Sequence, residues 1–222
     1  MERKIIFTQD GSHSVYATEL DVFYHSIYGA IRESMHVFIE PGLKFFEPAQ
    51  QQMYIFEMGF GTGLNVLLTL LYAEKEKKKI YYHAVEAFPL ENLFIKKINY
   101  CSQLNRPDLQ PAFDLLHSSE WEQDIEIGPY FILHKMHVDF NYYEINAQFQ
   151  IIYYDAFDPI NQPGLWTAPI FKKLFDMLTP GGYLLTYCSK GTVRRMMQEV
   201  GFVVEKLPGP PHKREIIRAG KR

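Results

Sequence analysis

Near residue 53 the pattern of apolar and polar positions changes its period. Before that point, short apolar runs are broken by polar turns. In KIIFTQDGSHSVYA an Asp-Gly pair separates two β-like runs, so residues 1 to 50 are expected to form short strands and turns. After it, strand-like and helix-like runs alternate. MYIFE is expected to be a strand and Leu64 to Lys75 a helix. IYYHAVE is a second strand, and Pro89 is suited to the first turn of a helix after it. FILHKMHVD and FQIIYYD are two more strands. Trp166 to Leu178 is expected to be a helix stopped by TPGG, YLLTYC a fifth strand, and Thr192 to Val200 a helix. FVVEKL and REIIRA flank Pro-Gly-Pro-Pro as a hairpin. This alternation implies an α/β fold: a doubly wound, mostly parallel, Rossmann-like sheet with helices on both faces. It would end in an antiparallel hairpin and begin with a small β-rich extension. The expected division is residues 1–50 for the extension and 51–222 for the main domain.

In such sheets ligands bind beyond the carboxyl ends of the strands. Four expected strands end in an acid: Glu57, Glu86, Asp139 and Asp155. Between the first strand and its helix lie three glycines at alternate positions, Gly59, Gly61 and Gly63. Glu86 follows Gly63 by 23 positions, close to the ~20-residue offset at which an acid meets ribose hydroxyls. A nucleoside cofactor is implied. The spacing is not that of a dinucleotide fingerprint, and EMGFGTGLN has no base to meet a diphosphate. Glu57 puts negative charge there instead, which suits a cofactor bearing a sulfonium and an ammonium.

Composition adds two points. Two cysteines, Cys101 and Cys188, make no disulfide framework and point to a reducing compartment. MERKIIFTQDG has no signal-peptide core, and VLLTLLYA is too short to span a bilayer, so a cytoplasmic protein without a membrane partner is expected. The net charge of −3 is unevenly spread: from Lys190 to Arg222 nine Lys or Arg face three Glu, a net of +6, leaving −9 elsewhere. A basic end attracts phosphate. His134 and His137 fall on opposite faces of a strand, and no Cys/His cluster completes a metal site.

The pattern E-x-G-x-G-x-G resembles motif I of the class I S-adenosylmethionine-dependent methyltransferases. The segments DGSHSVYATELDVFYHSIYGAIRESMHVFIEPGL, FEMGFGTGLN, VEAFPL, YYDAFDPINQPGLWT and EKLPGPPHKREIIRA together resemble the methyltransferase part of the bifunctional tRNA 5-methylaminomethyl-2-thiouridine biosynthesis family. The resemblance covers nearly the whole chain. It implies transfer of a methyl group from S-adenosylmethionine to the amine of 5-aminomethyl-2-thiouridine, at the wobble position in the anticodon stem-loop of tRNA. Larger members carry a flavin-dependent oxidase domain for which this chain has no room, so the expected reaction is methyl transfer alone. Making the aminomethyl precursor would fall to a separate enzyme.

On that resemblance, Gly59, Gly61 and Gly63 let the cofactor approach the backbone, Glu57 faces its cationic end, Glu86 meets the ribose and Asp139 the adenine amino group. Asp155 is the expected catalytic residue, positioning the substrate amine and stabilising the charge that develops on it. Phe157 and Trp166 flank it as candidates to stack on a flipped-out uridine. Lys190 and Arg194, four apart on one helix face, and Lys213 and Arg214 are candidate phosphate contacts. Asp158, before Pro159, reads as a turn residue. Two other readings stay open. The Asp155/Asp158 spacing also resembles the D-x-x-D-P loop of polyamine aminopropyltransferases, and the chain could be a non-catalytic cofactor-binding scaffold of a tRNA-modification complex.

Overall fold

A computed structural model describes residues 2–45 and 52–222. Strands β1 (Arg3–Phe7) and β2 (His13–Ala17) form the expected antiparallel hairpin, and β3 (Val22–Phe23) adds to β2. Asp10 ties the turn, accepting hydrogen bonds from the Ser12 N–H at 3.0 Å and the Thr8 hydroxyl at 2.8 Å. The chain then enters α1 (Ala30–Ser34), which continues through nine residues of wider π-helical turns, Met35–Leu43. This helical run corrects the reading of the extension as strands and turns alone. Its buried positions Ala30, Ser34, Val37 and Phe38 keep a helical period, but Pro41 and Gly42 read in sequence as a break. The expected boundary at residue 50 lies outside the described residues.

Strands β4 (Gln52–Met58), β5 (Lys79–Glu86), β6 (Asp124–Gly128), β7 (Phe131–His137), β8 (Phe149–Tyr154), β9 (Leu178–Thr186), β10 (Val203–Pro208) and β11 (Glu215–Gly220) form one sheet. Their spatial order is β10-β11-β9-β8-β4-β5-β7-β6. The central five, β9, β8, β4, β5 and β7, are parallel, and β10–β11 is the expected antiparallel hairpin at one edge. The edge strand β6, antiparallel to β7, was not foreseen, since its five residues hold only two apolar side chains. TPGG does not sit between helix and strand: it is drawn into the irregular start of β9, which begins at Leu178.

The helices are α2 (Leu64–Glu76), α3 (Asn92–Ile95), α4 (Tyr100–Gln103), α5 (Gln110–Ser118), α6 (Ala168–Met177) and α7 (Gly191–Glu199). Pro89 does not open a helix; it stays in the connection before α3, where its carbonyl accepts a hydrogen bond from Arg3. The sheet is covered on both faces. Val37, Leu67, Leu70, Tyr82 and Phe113 belong to one buried layer, which joins the N-terminal helical run to α2 and α5. Phe56, Tyr154, Trp166, Phe171 and Met197 belong to the other, under α6 and α7. Each such side chain contributes roughly 1.5–3 kcal/mol of burial. The N-terminal segment therefore shares a core with the sheet, and this fixes where its loops lie.

Candidate functional site

Strand register brings the acids together. Met58 pairs with both Val85 and Tyr154, so the residues that follow, Gly59, Glu86 and Asp155, come level at the ends of three adjacent strands. Glu86 pairs in turn with His137, and Asp139 emerges two residues later on the next strand. Asp155, Glu86 and Asp139 all line a cavity of about 280 Å³, together with the Gly59–Thr62 loop.

Glu86 holds the loop in shape. Its Oε2 accepts the Gly61 N–H at 2.9 Å and its Oε1 the Phe88 N–H at 2.8 Å. Asp139 is fixed by the Asn141 N–H and side-chain amide, both 2.9 Å from Oδ1. Gly61 has φ +49°, and a Cβ there would lie 3.3 Å from Tyr24 Cδ1. Gly63 is outside the lining. Its α-hydrogen side faces His117, where a Cβ would stand 2.6 Å from Nε2. The glycines thus serve close packing of the loop on protein groups, a role that the expectation of ligand approach alone did not contain.

Glu57 also lies elsewhere than expected. The strand runs one residue past it, so its side chain points into the layer under α2 and is 1% exposed. It does not line the cavity. Its Oε1 accepts a hydrogen bond from Asn65 Nδ2 at 2.9 Å, and the same nitrogen donates to Asp155 Oδ2 at 2.9 Å. Burial pushes the Glu57 carboxyl well above the usual carboxylate range. Glu57 reaches the site only through Asn65, which lines the cavity and whose buried Oδ1 has no protein partner.

Asp155 stands where the first cavity meets a second, of about 360 Å³. Tyr24, His25, Asp155, Ala156 and Phe157 line both. Burial, and after it the charge of Glu33, pushes the Asp155 carboxyl up to about 7; the Asn65 hydrogen bond and Lys213 pull it the other way. Asp155 is therefore neutral below about pH 7 and charged above it.

Phe157 sits at the junction, its ring edge-on to Tyr24 with centroids 5.1 Å apart. Trp166 does not. It is 4% exposed in the core under α6, lines neither cavity, and donates its indole N–H to the Phe157 carbonyl at 2.6 Å. The stacking role expected of Trp166 is thus replaced by support of Phe157. Asp158 is the expected turn residue, accepting the Ile160 N–H at 2.7 Å and the Asn161 amide at 2.9 Å. Lys190 caps α7 and is exposed, as is Arg214, and Arg194 lies one turn on from Lys190. Lys213 departs from the expectation of a surface phosphate contact. It turns inward, lines the second cavity and stands 3.8 Å from Glu33.

The residues that sequence reasoning missed come mostly from the N-terminal segment: Arg3, Tyr24, His25 and Glu33. His25 is buried and held neutral, its ordinary value lowered to about 4 by burial, with Nε2 2.7 Å from the Thr62 hydroxyl. For Tyr24, His25 and Glu33 the only signal was that residues 10–43 shared in the family resemblance, and Arg3 lay outside it. Asn65 could have been found, since a polar residue at the start of an otherwise apolar helix is placed to meet a strand-end acid. Among the described residues no group of three His, Cys, Asp or Glu could hold a metal ion, and no helix is long and apolar enough to cross a membrane.

The first cavity fits S-adenosylmethionine. It is lined by two strand-end acids, Glu86 and Asp139, by Asn65 with its unpartnered acceptor, and by a glycine loop free of Lys and Arg. Fold and site are those of a Rossmann-like α/β domain with a cavity at the carboxyl ends of its parallel strands. Residues 126–222 match the model of a family described as S-adenosyl-L-methionine-dependent methyltransferase. The chain is 28% identical over 211 residues to the tRNA 5-methylaminomethyl-2-thiouridine biosynthesis bifunctional protein MnmC of Pseudomonas fluorescens, and 29% over 215 residues to that of Magnetococcus marinus. Both alignments cover 89% of this chain, and they span 32% and 31% of the relatives, so the chain accounts for about a third of their length. The crystal structure of MnmC2 from Aquifex aeolicus superimposes on the whole chain and 70% of its own, with a TM-score of 0.78 at 22% identity.

Proposed function

We propose that this chain methylates the amine of 5-aminomethyl-2-thiouridine at the wobble position of tRNA. The observation that carries this is Asp155, the one acid among the described residues that lines both joined cavities. One cavity suits the cofactor; the other opens on the same carboxylate and suits an amine-bearing base. The kinship with proteins named for 5-methylaminomethyl-2-thiouridine biosynthesis in tRNA supports the choice of base.

S-adenosylmethionine supplies a methyl group on a sulfonium. The Gly59–Thr62 main chain and Asn65 would hold its amino-acid end, Glu86 its ribose and Asp139 its adenine amino group. Asp155 accepts a hydrogen bond from the substrate amine, orients its lone pair and offsets the positive charge that grows on nitrogen. Phe157, braced by Trp166, forms the wall between the cavities against which the base can stack. The aminopropyltransferase reading is the weaker one: Asp158 also lines the second cavity, but each of its oxygens already accepts a hydrogen bond within its own turn.

The RNA would be met by Lys190, Arg194 and Arg214, which make no ion pair among the described residues. Much of the remaining charge of this end is paired internally: Arg218 with Glu205 at 2.7 Å and Lys206 with Glu215 at 2.8 Å. Reversing Arg194 and Arg214 should therefore flatten the fall of tRNA affinity with salt, by about one unit of slope for each phosphate no longer neutralised. A slope unchanged from the parent protein would mark this surface as merely solvated.

The reading is tested by nucleoside mass spectrometry of tRNA from a strain lacking the protein. Accumulated 5-aminomethyl-2-thiouridine, removed again on complementation, is the expected result. An unchanged nucleoside profile would refute it.

A further inference from the structure

The second cavity holds charges that methyl transfer by Asp155 does not by itself require. Glu33 lies at the end of α1 and Lys213 in the β10–β11 connection, far apart in sequence. Lys213 Nζ is 3.8 Å from Glu33 Oε1 and lies 4.2 Å from the centroid of the Tyr187 ring. The Tyr187 hydroxyl donates to the Ala156 carbonyl at 2.9 Å, one residue past Asp155. Glu33 Oε2 accepts the Ser26 N–H at 2.8 Å, which anchors the loop carrying Tyr24 and His25. Beside this pair the Tyr28 ring stacks on His212 with centroids 3.9 Å apart. The N-terminal segment is thus tied to the β10–β11 connection across the mouth of the second cavity.

We propose that Glu33 and Lys213 are a positioning pair: together they fix the N-terminal segment over the second cavity and set the charge that Asp155 presents to a substrate amine. With all three ionised, the trio carries two carboxylates and one ammonium, and Asp158 and Asp21 add further negative charge to the cavity lining. The cavity is therefore net negative, which suits an aminomethyl cation arriving with its base. This deepens the tRNA reading and rests on it for the identity of the amine. The titratable groups that bear on Asp155 are Glu33 of α1, Glu57 of β4 across Asn65, Tyr82 of β5, Tyr100 of α4, Tyr187 after β9 and Lys213. Asp21, His25 and Asp158 also line the second cavity, but Glu33 and Lys213 are the two charges there that act on Asp155, and their effects have opposite signs.

The test is ¹³C NMR titration of the Asp155 carboxyl in the full chain, without RNA. Lys213→Met should raise its midpoint, and Glu33→Gln, which keeps an acceptor for Ser26, should lower it, each by roughly one pH unit. Lys213→Arg should restore the parent midpoint. Shifts of one sign, or none, would overturn the proposal. Should Lys213→Met fail to fold, Glu33→Gln decides alone: a lower midpoint supports the pair and an unchanged one refutes it. In single-turnover transfer to tRNA bearing the aminomethyl group, the pH–rate midpoint should move with the carboxyl; rates that keep the parent profile while the carboxyl shifts would also overturn it. An inactive parent protein with the NMR shifts intact would instead sink the tRNA reading and leave the pairing at Asp155 standing.

Discussion

Asp155→Asn is expected to lower single-turnover methyl transfer by roughly 10² or more, the scale of losing one electrostatic stabiliser. The substitution keeps shape and one acceptor but removes the charge. Affinity for S-adenosylmethionine should change little, since the cofactor cavity keeps Glu86, Asp139 and the glycine loop. The pH profile gives a second readout. With its carboxyl pushed up to about 7 by burial and Glu33, Asp155 gains its charge as pH rises through neutrality. The parent rate should therefore climb across that range, and further as the substrate amine loses its proton. In the asparagine variant the component near pH 7 should vanish. A rate equal to the parent's would remove Asp155 from the chemistry.

Gly61→Val should abolish cofactor binding. Gly61 holds φ +49°, a region that costs an L-residue roughly 1–2 kcal/mol and a β-branched one more. The new Cβ would press on Tyr24 at 3.3 Å, and any relief would break the 2.9 Å hydrogen bond from the Gly61 N–H to Glu86. Loop, N-terminal segment and Glu86 would all move. Calorimetry should show no S-adenosylmethionine binding in a variant that still unfolds cooperatively. Unchanged affinity would show that the loop is not the cofactor's cradle.

The central sheet was legible because its signals are local. Stretches of five to nine residues rich in β-branched or aromatic side chains mark β4, β5, β7 and β8, and acids closing them mark their ends. Three of the four acids do line the cavity. Glu57 does not, because a strand end read one residue early reverses the face of a side chain. The helix over residues 30–43 was hidden by Pro41 and Gly42, which are breakers in an α-helix and are accommodated here in wider turns. The second cavity was illegible for a different reason. Glu33, Asp155, Tyr187 and Lys213 come from four distant stretches, and only tertiary packing of the N-terminal segment joins them. Trp166 and Lys213 show the same limit from opposite sides. One looked like a surface for a base and is core, and the other looked like surface charge and lines the site.

The most direct measurement is transfer of isotopically labelled methyl from S-adenosylmethionine, by the purified chain alone, to tRNA carrying 5-aminomethyl-2-thiouridine, followed by nucleoside mass spectrometry. Label on the amine nitrogen, giving 5-methylaminomethyl-2-thiouridine, is the predicted result, with no product from putrescine and the decarboxylated cofactor. Cofactor binding without transfer to this tRNA would contradict it in favour of a scaffold, and turnover of putrescine would contradict it in favour of aminopropyl transfer.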